Sequence, residues 1–194
     1  MEKIHLFVDY QNVHLSIAEA FAPPGTPHHT TLIHPGKFGD ALMARRARFG
    51  RRGELYKISV FRGQPSSNRE VEAAARNKAQ SAEWSRDARV EVHNRVLRYP
   101  KQWPDQKAKE KGVDVALAIA LVRCALSQEC GTIVLASRDT DLVPALEMAV
   151  ELGSSQVEVT HWQGTSRLRL PGTSMWCTTM TGADYLASKD PREY

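Results

Sequence analysis

Short apolar runs alternate with amphipathic runs along most of the chain. The apolar runs are typical of buried strands and occupy residues 4–8, 55–61, 90–96, 132–136 and 157–162, where 90–96 is either a strand or a hairpin arm. Apolar residues at helical spacing lie between them, at residues 13–21, 37–48, 69–84, 112–122 and 142–152. This alternation predicts an α/β fold, with a mostly parallel sheet and helices on both faces.

The connecting segments favour a single domain over residues 1–194, because no linker divides the chain. Residues 22–36 are rich in proline and glycine and indicate a loop, and residues 99–111 are strongly polar. After residue 164 the pattern weakens and predicts only an edge strand near 175–177 and a final turn or short helix near 183–187. Residues 112–122 are apolar on nearly all sides, so we expect this helix to be buried on more than one face.

Composition excludes several classes of protein. The chain is 42% hydrophobic and 25% charged, which is typical of a soluble globular protein. No apolar run approaches the roughly 20 residues that span a bilayer, so we expect no membrane partner. The first residues, MEKIHLFVD, include an acid and break their apolar run at once, unlike a secretory leader. We therefore expect a cytoplasmic protein.

Basic residues concentrate in two segments of a chain whose formal net charge is +4. One cluster consists of Arg45, Arg46, Arg48, Arg51 and Arg52, and the other of Lys101, Lys107, Lys109 and Lys111. Such clusters are typical of a surface that binds a polyanion. A solvated helix face and a polar loop would give the same pattern.

Acidic residues follow the predicted strands. Asp9 follows the strand at 4–8, Asp139 and Asp141 follow the strand at 132–136, and Asp114 lies at the start of the helix at 112–122. Because ligands bind at the carboxyl ends of strands in open parallel sheets, these positions favour a functional role. Each acid could instead cap a helix or balance its dipole, and Asn12 is a good N-cap for the first helix.

The acids converge if the strands that end near Asp9 and Asp139 are neighbours. Like charges in a partly dry cleft raise one another's pKa unless a cation lies between them. Oxygen ligands without His or Cys favour Mg²⁺ or Mn²⁺ over zinc. An all-carboxylate site suits phosphoryl chemistry, in which one or two metal ions about 4 Å apart activate a water and stabilise the leaving oxygen. The basic clusters would then hold a polyanionic substrate.

Three motifs in the chain, taken in order, resemble the NYN domain family, which is similar in fold and site to the PIN-like nucleases. They are the strand ending in Asp9-x-x-Asn12, the run Lys111-Gly112-Val113-Asp114, and the run Ser137-x-Asp139-x-Asp141-Leu142-x-Pro144. The resemblance covers approximately residues 4–162, and the stretch after residue 162 matches poorly. It implies a three-layer α/β/α sandwich with a central, mostly parallel sheet, and a metal-dependent ribonuclease that cuts phosphodiesters.

The resemblance also implies roles for individual residues. By position, the acids that match the metal-binding residues of the family are Asp9, Asp114, Asp139 and Asp141, and Asn12 matches an asparagine beside the site. We predict that substrate is contacted by Ser137, Arg138, Lys111, Arg45 and Arg46. Arg138 stands where the family usually has glycine, so its guanidinium either contacts a phosphate or crowds the metal.

The leading hypothesis is a Mg²⁺- or Mn²⁺-dependent ribonuclease that acts on single-stranded or loop RNA. Asp9, Asp114 and Asp139 would hold metal, and Asp141 would hold a second metal or orient the water. The alternative is an RNA-binding or adaptor module of the same fold without useful catalysis, in which Arg138 replaces the cation. A phosphatase with an aspartyl nucleophile ranks last, because Gln11 stands where a second acid is expected. A homo-oligomer or a protein partner stays open.

Overall fold

The computed structural model describes residues 1–27, 30–192 and 194, and its centre is a six-stranded sheet. The strands are β1 (Lys3–Asp9), β2 (Glu54–Gln64), β3 (Val90–Val96), β4 (Thr132–Ala136), β5 (Gln156–Trp162) and β6 (Trp176–Met180). They lie in the order β3-β2-β1-β4-β5-β6, and every neighbouring pair is parallel. Residues 90–96 therefore form a parallel edge strand rather than a hairpin arm.

Helices cover both faces of the sheet. They are α1 (Tyr10–Phe21), α2 (Pro35–Ala47), α3 (Val71–Trp84), α4 (Val113–Ser127), α5 (Val143–Leu152) and α6 (Gly182–Ser188). Residues from α1, α2 and α3 pack into one apolar core, and residues from α4 and α5 pack into a second core on the opposite face. The predicted α/β/α sandwich is confirmed. Residues 28 and 29 of the predicted loop at 22–36 lie outside the described residues.

Strand β1 lies in the middle of the sheet, between β2 and β4. Its side chains alternate between the two cores, with Leu6 and Val8 in one and Phe7 in the other. A strand buried on both faces needs a nearly continuous apolar run, which explains why residues 4–8 could be recognised as a strand. Its carboxyl end therefore opens at the centre of one edge of the sheet.

Helix α4 is less buried than its composition predicts. Gly112 precedes it at φ 74°, a left-handed conformation that favours glycine, and the helix then runs to Ser127. Leu117 and Leu121 face the core, but Val115 and Ile119 are 55% and 56% exposed. The expectation of burial on more than one face was wrong, because α4 packs on the sheet and on α5 and leaves its outer side open.

Among the described residues, no helix is a candidate for crossing a membrane. None of these helices combines the length and the apolar character that crossing a bilayer requires.

Candidate functional site

The candidate site lies where β1 and β4 end. These strands are hydrogen-bonded neighbours, and Val8 is aligned with Ala136 in the parallel register. Asp9 is the last residue of β1, and Ser137 follows directly after β4. The condition for convergence of the acids is therefore met, and the first two site residues lie at the same edge of the sheet.

Asp9 begins helix α1 as well as ending β1. Its backbone is extended (φ −78°, ψ 93°), and its Oδ1 accepts a hydrogen bond of 3.2 Å from the backbone N–H of Asn12. Asp9 is therefore the N-cap, and Asn12 lies inside the first turn of the helix. The prediction that Asn12 caps α1 was wrong, because an acid three residues earlier already satisfies the helix N–H.

Two side chains join the end of β1 to the loop after β4. The Ser137 hydroxyl donates a hydrogen bond of 2.9 Å to Asp9 Oδ2 and accepts one of 3.1 Å from the backbone N–H of Asp139. The side-chain oxygen of Asn12 accepts a hydrogen bond of 3.1 Å from the backbone N–H of Arg138. Ser137 thus contacts both Asp9 and the segment that carries Asp139.

Asp139 and Asp141 start the next helical segment. Asp139 is the N-cap of a 3₁₀ turn at Thr140–Leu142 that leads into α5, and its Oδ1 accepts a hydrogen bond of 3.0 Å from the Asp141 backbone N–H. Asp139 is partly buried and Asp141 is exposed. Asp139 therefore has the capping role that its position predicts, and its second oxygen lies at the same edge as Asp9.

The electrostatic environment of Asp9 is unusual for a carboxylate. Burial raises the pKa of Asp9 to about 6, while the hydrogen bonds from Asn12 and Ser137 oppose that rise. The negative charges of Glu110 and Asp139 raise the pKa further, and among the described residues no basic side chain contributes to the shift. An acid with this environment favours a nearby cation or a bound proton.

Glu110 is a site residue that sequence reasoning missed. Its Oε1 accepts a hydrogen bond of 2.6 Å from the backbone N–H of Gly63, which lies near the end of β2. Burial raises the pKa of Glu110, Gly63 and Arg62 oppose the rise, and the charge of Asp114 adds to it. The only signal in the sequence was an acid directly before Lys111-Gly112, in a segment without periodicity.

Asp114 and Lys111 lie beside Glu110 at the start of α4. Asp114 occupies the first turn of that helix and is partly buried, and Lys111 is exposed. The structure therefore extends the acidic edge from Asp139 through Asp9 to Glu110 and Asp114. The roles of these residues stay predictions.

The Arg138 side chain is directed away from the acids. Its guanidinium forms an ion pair with Glu19 on α1, through a bond of 3.2 Å from Nη1 to Oε1 and a second bond from Nη2 to Oε2. Its backbone N–H, by contrast, donates a hydrogen bond to Asn12 at the candidate site. The guanidinium therefore does not crowd the acids in this structure.

Arg45 and Arg46 lie in the last turn of α2. Arg46 is 1% exposed, and its Nε and Nη2 each donate a hydrogen bond of 2.9 Å to Glu158. The Nε of Arg45 donates to the backbone oxygen of Thr179 in β6. The prediction that Arg46 contacts substrate was wrong, because the buried Glu158 carboxylate requires a cationic partner. The contacts of Arg45 lie at the edge of the sheet formed by β6, which β4 and β5 separate from β1.

The acids have the donor chemistry of a site for a hard divalent cation. They offer carboxylate oxygens only, and the pKa of Asp9 is raised first by burial and then by the charges of Glu110 and Asp139. Among the described residues, no group of three or more His, Cys, Asp or Glu side chains is close enough together to hold a metal ion. Mg²⁺ commonly takes only one or two carboxylates and keeps several waters, so Asp9 and Asp139 fit it by donor type.

The parallel sheet with helices on both faces and with acids at the carboxyl ends of its central strands defines an α/β protein with a candidate acidic site. The family model of the NYN domain matches residues 3–169, so the chain belongs to the NYN domain family. NYN domains are generally nuclease-like and typically ribonucleases. The match covers most of the chain and the three motifs that indicated the family.

Other comparisons are more distant. A crystal structure of a protein of unknown function from Vibrio parahaemolyticus RIMD 2210633 is 18% identical to this chain, with a TM-score of 0.49. That similarity covers 82% of this chain and 80% of the other. No curated protein matches the chain significantly.

Proposed function

We propose that this protein is a ribonuclease that uses Mg²⁺ or Mn²⁺ to hydrolyse RNA phosphodiester bonds. The observation that carries the proposal is the position of Asp9 at the carboxyl edge of the sheet, where burial raises its pKa and the charges of Glu110 and Asp139 add to the rise. Membership of a family of generally nuclease-like domains supports it. A cation bound at this edge would offset the charges of Glu110 and Asp139, which add to the raised pKa of Asp9.

Asp9 and Asp139 would hold the metal ion, with Asp114 and Glu110 on the other side of Asp9. When bound, the ion supplies an activated water and stabilises the leaving oxygen. The Ser137 hydroxyl orients the Asp9 carboxylate, and Asn12 fixes the backbone of the loop that carries Asp139. Asp141, exposed beside Asp139, would orient the attacking water.

Basic groups near this edge would hold the substrate. Lys111 is exposed directly beside Glu110, so its ammonium can approach a phosphate of RNA. Arg138 can do so only by leaving Glu19, an ion pair whose two side chains are 24% and 52% exposed. An exposed pair of this kind is worth about 0–1 kcal/mol, so a phosphate can displace Glu19 at little cost.

The experiment is cleavage of a labelled single-stranded RNA with MnCl₂, by the wild type and the Asp9→Asn variant. Asparagine is also a good N-cap, so Asp9→Asn removes the charge while keeping the start of α1. We expect the rate to fall by about 100-fold or more, because a charged ligand is lost. Asp184→Asn is the matched control, since Asp184 is a capping-box acid of α6 outside the site.

Activity that survives in Asp9→Asn, or that persists in EDTA, would refute the proposal. The Asp184→Asn control should cleave at the wild-type rate, and unfolding curves of both variants show whether the fold is intact. A loss of activity shared equally by both variants would indicate a general effect on folding instead of a role for Asp9.

An RNA-binding adaptor without catalysis is the second candidate. Both oxygens of Asp9 and Oδ1 of Asp139 already accept hydrogen bonds from the chain, which gives these acids a structural role without any metal. Titration calorimetry separates the candidates. Heat of binding at millimolar Mn²⁺ that disappears in Asp9→Asn supports the nuclease, and RNA binding without Mn²⁺ binding supports the adaptor.

A further inference from the structure

A polar loop at residues 97–111 projects from the carboxyl edge of the sheet, after β3. Its two arms are joined by a pair of antiparallel backbone hydrogen bonds, 2.8 Å from Arg98 N to Lys109 O and 3.0 Å from Lys109 N to Arg98 O. Its base is tied to β2 by a bond of 3.0 Å from Leu97 N to Gln64 O. The loop therefore has a defined shape, although the sequence indicated only a polar connection.

Two aromatic rings in this loop pack with an arginine from the segment before α3. The Arg69 guanidinium lies 5.1 Å from the centre of the Tyr99 ring and 5.6 Å from that of Trp103. The two rings meet edge to face, with centroids 5.6 Å apart. We call Arg69, Tyr99 and Trp103 the aromatic clamp. Arg69 is exposed and both rings are only partly buried, so the clamp lies at the surface.

Tyr99 fixes the clamp to the structure below it. Its hydroxyl accepts a hydrogen bond of 2.8 Å from the Ser66 backbone N–H and donates one to Glu70 Oε2. Trp103 is the outer member of the clamp and is carried by the tip of the loop. A rigid, partly exposed indole beside a guanidinium is well suited to stack on a flat π system.

The loop is attached directly to the acidic edge. Glu110, in its second arm, accepts the hydrogen bond from Gly63 and contributes to the raised pKa of Asp9. A Cβ at Gly63 would lie 2.7 Å from Glu110 Oε1 and 2.5 Å from Leu97 Cδ2, so only glycine allows this close approach. A chain bound on the loop would therefore lead towards the acids.

The charge of the loop suits a polyanion. Its exposed basic side chains are Arg98, Lys101, Lys107, Lys109 and Lys111, against the acids Asp105 and Glu110. Aromatic rings interleaved with basic side chains are the usual means of binding single-stranded nucleic acid, because bases stack on the rings while phosphates lie near the cations. Neither a peptide nor a duplex presents both features, since paired bases are already stacked.

We propose that the aromatic clamp binds an unpaired base of RNA by stacking on Trp103, and so directs single-stranded RNA to the acidic edge. The lysines of the loop hold the flanking phosphates. This inference rests on the proposed function for its substrate class. It adds a physical basis for preferring unpaired RNA, which the acids alone do not provide.

The chain supplies a matched control for the clamp. Trp176 is also partly buried and also lies under an arginine, with the Arg51 guanidinium 4.3 Å from its ring centre. It lies at the start of β6, at the opposite edge of the sheet from the acids. Trp176→Ala therefore removes a similar cation–aromatic contact at a place where RNA is not expected.

The experiment measures binding and cleavage separately. In an Asp139→Asn background, fluorescence anisotropy gives the affinity for a labelled single-stranded RNA and for the duplex of the same sequence. We expect Trp103→Ala to weaken single-strand binding by about 5- to 150-fold, the loss of one stacked base. It should leave duplex binding nearly unchanged, and Trp103→Phe should restore most of the affinity. RNA should quench the tryptophan fluorescence of the wild type, and the amplitude of this quenching should be smaller in Trp103→Ala.

Each outcome has a defined meaning. If the wild type cleaves RNA but Trp103→Ala and Trp176→Ala bind the single strand equally well, the proposed role of the aromatic clamp is overturned. The proposal of a nuclease then still stands. Clamp-dependent binding without cleavage supports the clamp and refutes the nuclease. If RNA is cleaved, Trp103→Ala should raise KM and leave kcat almost unchanged, because the ring binds substrate and does not touch the reacting phosphate. An equal loss of affinity for single strand and duplex would also overturn the inference.

Discussion

Replacing Ser137 with alanine tests whether the link between the acids is needed for the site. The hydroxyl is 3% exposed and makes two hydrogen bonds, one to the Asp9 carboxylate at 2.9 Å and one from the Asp139 N–H at 3.1 Å. A hydrogen bond to a charged group contributes about 1.5–3 kcal/mol, and a neutral one about 0.5–1.5 kcal/mol. Water can reach the partly exposed carboxylate, so we expect Ser137→Ala to lose about 2 kcal/mol of unfolding free energy.

Ser137→Ala should also weaken the affinity of the site for Mn²⁺, apart from its effect on the unfolding free energy. Without the hydroxyl, Asp9 keeps its bond from Asn12 but loses the contact that fixes its second oxygen. Loss of such an orienting contact typically weakens metal affinity by about 10- to 100-fold. We therefore expect the Mn²⁺ concentration at half-maximal cleavage to rise by that factor, measured at a temperature where circular dichroism shows the variant fully folded.

Ser155→Ala is the control for this prediction. Its hydroxyl is comparably buried, at 8% exposure, and donates a hydrogen bond of 2.8 Å to the Cys130 backbone oxygen near the amino ends of the strands. It should lower stability by about 1 kcal/mol and leave the Mn²⁺ midpoint unchanged. Equal Mn²⁺ midpoints for Ser137→Ala and the wild type would refute the role of Ser137 at the site and leave it only a part in folding.

Two further predictions concern buried ionisable groups. Glu158→Gln should lower the unfolding free energy by about 3–5 kcal/mol in urea titrations, because it leaves the buried Arg46 guanidinium without its charged partner. The control is Asp105→Asn at an exposed position, which should change the unfolding free energy little. A small loss of stability in Glu158→Gln would contradict the importance of this ion pair. Burial, then the charge of Lys57, lowers the pKa of His5 to about 3, so the native state resists a proton that the unfolded state takes up below pH 6.5. The contribution of His5 to the unfolding free energy is therefore complete above pH 6.5 and falls towards pH 3, with a loss of about 2 kcal/mol at pH 5. His5→Gln should lose that part of the pH dependence. Parallel curves of unfolding free energy against pH for the two proteins would refute the lowered pKa of His5.

Much of the sheet could be predicted from the sequence because its central strands are buried on both faces. Residues 132–136 are all buried in β4, and the short apolar run at 133–136 is typical of such a strand. The start of α1 was harder to locate. Asp9 and Asn12 are both good N-caps, and only the conformation of Asp9 and its bond to the Asn12 N–H identify which one begins the helix.

The errors at the site have a common physical cause, which is contact between residues distant in sequence. Arg46 belongs to a basic cluster, but its partner Glu158 lies 112 positions away and no local pattern reports it. Glu110 reaches the site through Gly63, 47 positions away, from a segment without secondary structure. In α4, alanines and valines gave an apolar composition without showing which side the sheet would cover.

The order of strands in the sheet also determines when the site can form during synthesis. Asp9 ends β1, but its partner Ser137 lies 128 residues further along the chain. A ribosome that adds about 5–20 residues per second needs roughly 6–25 s to cover that distance. Until β4 emerges, one long side of β1 has no neighbour, and Asp9 faces no Asp139. For a protein proposed to cut RNA, the consequence is a built-in delay, because the nascent chain stays beside its own message with an incomplete site while these residues are made.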